Sequence, residues 1–401
     1  MSKKNNIHIK DLHGLAKVGQ DAVVHASHVI EDFQRRIIHP PLLPSTPIQG
    51  FVSAISAAVH KTLRFTARRV GSTLQDALNL LDQEQPTGIR FGNKRAMLAI
   101  ANGVFGDYLL RNNNPLAQPM QVKFQETPLT PANVATALHD HAASGKIVLL
   151  VHGLCMDDAG WTRNDHNHGT ALADAFGMTP LFLHYNTGLH ISENGASLSD
   201  ALESLLVAWP VPVQELVIVA HSMGGLVSRS AVALGQQDSK TWVHKLKKII
   251  FLGTPHHGTS LEKVGNYVHA LLDALPYTKP LAKLGGLRSA GISDLRFGNL
   301  VAQDWNGQDR FAAHKDARQP LPLPPQVSCF AIAATLGQDE ADLKTQLAGD
   351  GLVPLDSALG RHKHPKHQLT FADTHTLHSV GHMDLLSDQN ALAVMQNWLQ
   401  H

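Results

Sequence analysis

Ser222 stands where a strand should give way to a helix. It lies in Ala220-His221-Ser222-Met223-Gly224-Gly225, directly after the apolar run Leu216-Val217-Ile218-Val219-Ala220. A serine hydroxyl becomes a useful nucleophile when a sharp bend holds it beside a base. Such an elbow needs a strand, a tight turn and a helix, with small residues two before and two after the serine. The bend puts the serine in a strained backbone region where bulky neighbours would clash. Ala220 and Gly224 occupy those two places, alanine standing where the motif has its first glycine. A plain Gly/Ser turn is the bland reading. The buried strand before the pentapeptide and the Gly-Gly after it favour the elbow.

Acyl transfer also requires donors for a developing oxyanion, and backbone N–H groups serve best where water is excluded. One donor is expected at Met223, next to the nucleophile, and the other in a loop after an earlier strand. His152-Gly153-Leu154-Cys155-Met156-Asp157 follows the run Lys146 to Val151. Gly153 lets the chain turn there so that the Leu154 N–H can point at the site. The alternative is a plain strand-ending turn with a buried His152.

The acid should follow the nucleophile and precede the base. Gly349-Asp350-Gly351-Leu352-Val353-Pro354 sets a carboxylate between two glycines; Asp339, Glu340, Asp342 and Asp356 read as solvated charges. A helical turn around Glu340 to Leu347 must then fold back between the strand ending near Thr335 and Asp350. For the base, His382 lies in the loop Gly381-His382-Met383-Asp384-Leu385-Leu386 before the last helix. His375 and His378 sit instead in a strand-like alternation through Thr374 to His378. His362, His364 and His367 lie among Arg361, Lys363 and Lys366. Without carboxylate or Cys company they read as a solvated loop rather than a metal site. Neither a metal nor an organic cofactor is expected.

With these pieces in place, residues 146–401 resemble an α/β-hydrolase of the lipase/esterase kind, close to the bacterial and GPI-inositol-deacylase-like lipases. Phe251-Leu252-Gly253-Thr254-Pro255-His256-His257-Gly258, Asp350 with Val353-Pro354, and Gly381-His382 with Asp384-Leu385 complete the resemblance. It implies a serine carboxylic-ester hydrolase acting on lipid-like acyl esters through an acyl-enzyme. Ser222 would be the nucleophile, His382 the base and Asp350 its orienting acid. The resemblance also implies that the Gly-Thr-Pro-His-His-Gly segment follows the sixth strand and borders the acyl pocket. That places His256 and His257 near substrate, with packing roles equally open to them; His152 and His221 are further pocket candidates. An acyltransferase with the same acyl-enzyme is one alternative. A lipid- or partner-binding protein on an inactive scaffold is another, and the intact set of three residues argues against it.

The elements that must position these residues follow from pattern. Continuous apolar runs at Lys146 to Val151, Leu181 to Tyr185, Leu216 to Ala220, Lys248 to Leu252 and Val327 to Ala333 read as strands covered on both faces. Helical patterns at Gly195 to Trp209 and Gly224 to Leu234 alternate with them, and Ala391 to Leu399 closes the chain. Strand–helix alternation predicts an α/β fold with a mostly parallel central sheet. Gln121 to Gln125 is a shorter strand candidate. Apolar residues between Gly258 and Lys315, among them Tyr267, Val268 and Leu271, predict a helical cap insertion over about 258–315, with an ordinary helical excursion packed on the sheet as the alternative.

Upstream the texture is helical, with stripes from Leu12 to Ile37, Phe51 to Leu81 and Lys94 to Leu110, separated by proline-rich breaks. We therefore divide the chain into an N-terminal helical region, 1–114, and a hydrolase domain, 115–401. Residues 1–111 hold 14 Lys+Arg against 8 Asp+Glu, or +6, and the remainder hold 20 against 25, or −5. The basic segment could attract anionic lipid surfaces weakly, as a peripheral contact, or its helices could dock on the hydrolase.

The whole chain has 401 residues and a net charge of +1, which argues against nucleic acid as a partner. Its 43% hydrophobic content excludes a disordered or collagenous protein. Two cysteines, Cys155 and Cys329, fit a reducing compartment. The apolar runs are too short to cross a bilayer, and the first residues lack a secretory h-region. These features together set the expectation of a cytoplasmic protein.

Overall fold

In the computed structural model the described residues are 91–139, 143–274, 289–307, 318–339, 342, 345 and 348–400. The first two predicted helices, most of the lipid-surface expectation, and the middle of the cap lie outside them. So does most of the helical turn expected at Glu340 to Leu347.

The core is one eight-stranded sheet. Its strands are β1 (Gln121–Phe124), β2 (Thr127–Leu129), β3 (Lys146–Val151), β4 (Thr179–His184), β5 (Glu215–His221), β6 (Leu246–Leu252), β7 (Ser328–Thr335) and β8 (Asp373–His378). Their spatial order is β8-β7-β6-β5-β3-β4-β1-β2. From β4 to β8 all neighbours are parallel, and the hairpin β1–β2 adds an antiparallel edge. The longer helices among the described residues are α1 (Phe91–Arg111), α2 (His168–Phe176), α3 (Ile191–Val207), α4 (Met223–Gln237), α5 (Leu261–Ala274), α6 (Ala290–Phe297) and α7 (Gln389–Gln400). This is the α/β-hydrolase fold: a mostly parallel sheet between helical layers, with a strand–serine–helix bend at its centre.

The layering follows from the side-chain period of two along each strand. Ile147, Leu149 and Val151 of β3 join Leu216, Ile218 and Ala220 of β5 on one face, beneath α3 and α4. Val148, Leu150, Val217 and Val219 face the other way, onto Leu172 of α2 and Met395 and Trp398 of α7. Both faces of the central strands are therefore apolar, which is why they read as unbroken runs. Each fully buried aliphatic side chain contributes about 1.5–3 kcal/mol relative to exposure.

Helix α1 belongs to this body. Ile100, Val104, Phe105 and Leu109 join the same core as β3 and β4. Glycines allow a close approach: a Cβ at Gly103 would lie 2.3 Å from Cys155 Sγ, and one at Gly106 would lie 1.8 Å from Asn186 Oδ1. Of the two fates open to the basic N-terminal helices, docking describes α1. No described helix is long and apolar enough to cross a membrane. Cys155 and Cys329 are both free thiols, and both are buried.

Burial also reaches several histidines. It pulls His152, His168 and His257 down to about 4 from the usual 6.5, and His221 and His256 well below that value. The unfolded chain would then bind more protons than the folded one as pH falls through 6.5 toward 4. Stability present above 6.5 should be lost across that window. The urea midpoint is expected to fall steadily between pH 7 and pH 4.5. A midpoint that holds level over this range would contradict the burial of these imidazoles.

Candidate active site

Four loops that follow the carboxyl ends of β3, β5, β7 and β8 meet on one rim of the sheet. This is the edge at which open parallel sheets build their sites. Ser222 lies between β5 and α4 with φ 54° and ψ −126°, a backbone conformation that L side chains adopt only at a cost. Its N–H donates to Leu252 O at 2.8 Å and its carbonyl accepts from Gly225 N at 3.0 Å, so both sides of the bend are fixed. Gly224 is needed for contact: a Cβ there would lie 2.4 Å from Val151 O and 2.6 Å from His152 O, both backbone atoms. Gly224→Val should destabilise the fold by about 1–3 kcal/mol or more, read as a lower urea midpoint. A variant as stable as the parent would show that the bend is looser than this packing implies.

The Asp350 loop is shaped by glycines at positive φ, Gly349 at 60° and Gly351 at 96°. Asp350 Oδ1 accepts from Leu352 N at 3.0 Å and Val353 N at 2.7 Å. Its Oδ2 remains for His382, whose Nδ1 lies 2.7 Å away. A second tie joins the same loops, from His382 N to Asp350 O at 3.0 Å. A carboxylate only accepts, so the imidazole hydrogen sits on Nδ1 and the Nε2 lone pair is left available. Asp350 and His382 are buried, whereas the competing Asp339 and Asp356 are exposed. His378 ends β8 four residues upstream of His382.

His221 and Gly253 connect this pair to the serine. His221 Nε2 donates to His382 O at 3.1 Å, and the two rings lie 4.7 Å apart. Burial, and then the nearness of the His382 imidazole, hold His221 well below the usual imidazole range, so it stays neutral. A Cβ at Gly253, just past β6, would lie 3.2 Å from Asp350 Oδ2 and 3.3 Å from His382 Nδ1.

The loop after β3 lies against the serine itself. A Cβ at Gly153 would be 2.9 Å from Ser222 Cβ and 3.4 Å from Ser222 Oγ. The peptides of this loop are pinned one by one. The Tyr185 hydroxyl donates to His152 O at 2.7 Å, and its ring stacks on His152 at 4.4 Å. His152 Nδ1 donates to Gly153 O at 3.0 Å. In a trans peptide that carbonyl and the Leu154 N–H point in opposite directions, so the bond fixes where the N–H aims. Cys155 N donates to Thr187 Oγ1 at 3.1 Å, with Cys155 at φ 58°. Because burial holds His152 at about 4, its neutral donor form persists well below neutral pH.

His256 and His257 are held by their own neighbours. His256 packs on Phe251 and Phe371 at 4.8 and 5.4 Å, with Arg229 Nη1 3.3 Å from its Nδ1. His257 faces His362 at 4.8 Å. These are packing contacts, one of the two roles expected of the segment. The reason is local: Gly253 and Gly258 turn at positive φ, and His256 N bonds Ser357 O at 3.1 Å, drawing the segment toward the Asp350 side.

Two neighbours were not placed at the site by the sequence. Tyr267 of α5 sets its ring edge-on to His382 at 6.4 Å, and its hydroxyl donates toward Leu154 O at 3.4 Å. Arg95 of α1 pairs with Asp157, 62 positions away. The apolar spacing of the cap marked Tyr267 as interior but could not aim it.

Residues 112–291 match a family described as a domain of unknown function, DUF7379. No curated protein matches the chain. Among solved structures, the mature Bacillus licheniformis lipase BlEst2 matches at 18% identity and TM-score 0.41, over 65% of this chain and 94% of that one. Aspergillus fumigatus lipase B matches at 12% identity and TM-score 0.39, over 65% of this chain and 55% of that one. A Thermogutta terrifontis esterase matches at 15% identity and TM-score 0.34, over 64% of this chain and 90% of that one.

Proposed function

We propose that this chain is a serine carboxylic-ester hydrolase that acts on lipid-like acyl esters through an acyl-enzyme. The observation that carries the reading is Ser222 at φ 54°, on the rim where His382 Nδ1 meets Asp350 Oδ2 at 2.7 Å. A structural serine has no need of a strained backbone, and a structural histidine has no need of a buried carboxylate that leaves Nε2 available.

In the reaction, Ser222 Oγ attacks the ester carbonyl while His382 Nε2 takes its proton. Asp350 keeps the imidazole in the required tautomer and stabilises the imidazolium. The N–H groups of Leu154 and Met223 receive the oxyanion. Collapse expels the alcohol, which takes the proton from His382. Water, activated by the same histidine, then releases the acid and frees the serine. The lipid-like preference is supported by α5, which brings Tyr267 to 6.4 Å from the His382 ring and packs Val264, Val268 and Leu271 against the apolar core.

The test is turnover of p-nitrophenyl esters from acetate to palmitate, with and without acceptor alcohols. Hydrolysis that strengthens with acyl length, with water as the main acceptor, is expected. Transfer to the alcohol in preference to water would make the protein an acyltransferase. Neither turnover nor serine acylation would leave a binding scaffold.

A further inference from the structure

A cluster of buried charge lies behind the loop after β3, and the reaction above does not use it. Arg95 enters from α1. Its Nε donates to Asp157 Oδ2 at 2.8 Å, its Nη2 forms an ion pair with Asp158 Oδ2 at 2.8 Å, and its Nη1 reaches Glu126 Oε2 at 3.0 Å. Asp158 also receives Lys123 Nζ from β1 at 2.8 Å and His184 Nδ1 from β4 at 2.7 Å. Asp157, Asp158 and Lys123 are buried, and Arg95 is mostly so. Burial alone would raise the Asp158 carboxyl. The hydrogen bonds from His184, Lys123 and Arg95 overcome it and hold that group well below the usual carboxylate range.

We infer that Arg95 is a positioning residue for the oxyanion hole, holding the loop His152 to Asp158 in the register at which the Leu154 N–H meets the substrate oxygen. The inference rests on the ester-hydrolase reading. Up to Cys155 the loop is pinned through its backbone, by Tyr185, His152 and Thr187. Beyond Met156 it is tied through its two carboxylates, and Arg95 bridges both. The fork matters, because a planar guanidinium can hold two carboxylates at fixed separation where an ammonium offers a point charge. Helix α1 brings the fork close because Gly103 lets it lie against Cys155, while Ser289 Oγ anchors Gly103 O at 2.7 Å. Removing Arg95 leaves the Asp157 carboxylate buried without its guanidinium, while Asp158 keeps Lys123 and His184, so the loop must move at Asp157 to rehydrate it. Leu154 is three residues from Asp157 and moves with it. Arg95 lies outside the family-matched span 112–291, so the hydrolase core takes this support from the segment before it.

Oxyanion donors act on the transition state more than on the bound substrate, so their misplacement lowers kcat and spares KM. Arg95→Ala and Asp157→Asn in the full-length chain are each expected to lower kcat by about 10–100-fold with KM within about threefold. Both are measured per active site after fluorophosphonate titration. Arg95→Lys should recover part of the loss. Added guanidinium at millimolar, non-denaturing concentration should raise kcat of Arg95→Ala, and of neither wild type nor Ser222→Ala. If Arg95→Ala fails to fold, the nearly isosteric Asp157→Asn carries the same kcat prediction alone. Unchanged kcat per titrated site, with loss appearing only as fewer titratable sites or a lower Tm, overturns the inference and leaves the ester-hydrolase reading standing. A wild-type protein that neither turns over esters nor reacts with fluorophosphonate overturns both.

Discussion

Ser222→Ala is expected to lower kcat for ester hydrolysis by about 10⁴-fold or more, to the level that oxyanion donors and binding supply alone. Folding should be little affected. Alanine keeps the Cβ that already tolerates φ 54°, and the two hydrogen bonds that fix the bend are made by the backbone. Activity and stability should therefore separate: Tm close to the parent, turnover near background. KM for residual activity should change little, since the hydroxyl contributes to the transition state and not to holding the acyl chain. A purified Ser222→Ala protein with near-parental turnover would remove the serine from the mechanism.

Asp350→Asn is expected to cost about 10³–10⁴-fold in kcat with the loop intact. The asparagine oxygen can still accept from the Leu352 and Val353 N–H groups, which fix one side of the carboxylate. The amide nitrogen then faces His382 Nδ1 and donates to it. That forces the imidazole hydrogen onto Nε2, where a lone pair is needed to take the serine proton. The loss would come from the wrong tautomer and not from misfolding, so Tm should move far less than kcat. Combining Asp350→Asn with Ser222→Ala should add little to Ser222→Ala alone, because residues that act as a unit are not additive. A fully additive double variant would mean that Asp350 and Ser222 serve different steps.

Much of this was legible in the sequence because parallel strands covered on both faces must be continuous apolar runs. The runs at Lys146, Leu216 and Lys248 became β3, β5 and β6 with nearly the expected limits. Strand β8 showed only as the alternation through Thr374 to His378, since an edge strand carries polar residues such as Asp373 and His375. Helix α2 gave no signal as a short piece of nine residues. At the site, glycine context pointed to Asp350 and loop position to His382, and both turn on local geometry that a few residues encode. Longer-range placement was not readable. Arg95 and Asp157 meet only because α1 crosses above the loop after β3, and nothing local to either residue announces the other. The direction of His256 depended on two positive-φ glycines and a bond to Ser357, geometry that spacing alone does not fix.

The most direct measurement is fluorophosphonate labelling of the full-length protein, followed by mass mapping of the adduct against residual esterase activity. One adduct per chain is expected, on Ser222, forming in step with inactivation, slowed by orders of magnitude in His382→Ala and absent in Ser222→Ala. An adduct on another residue, or full esterase activity with Ser222 unlabelled, would contradict it.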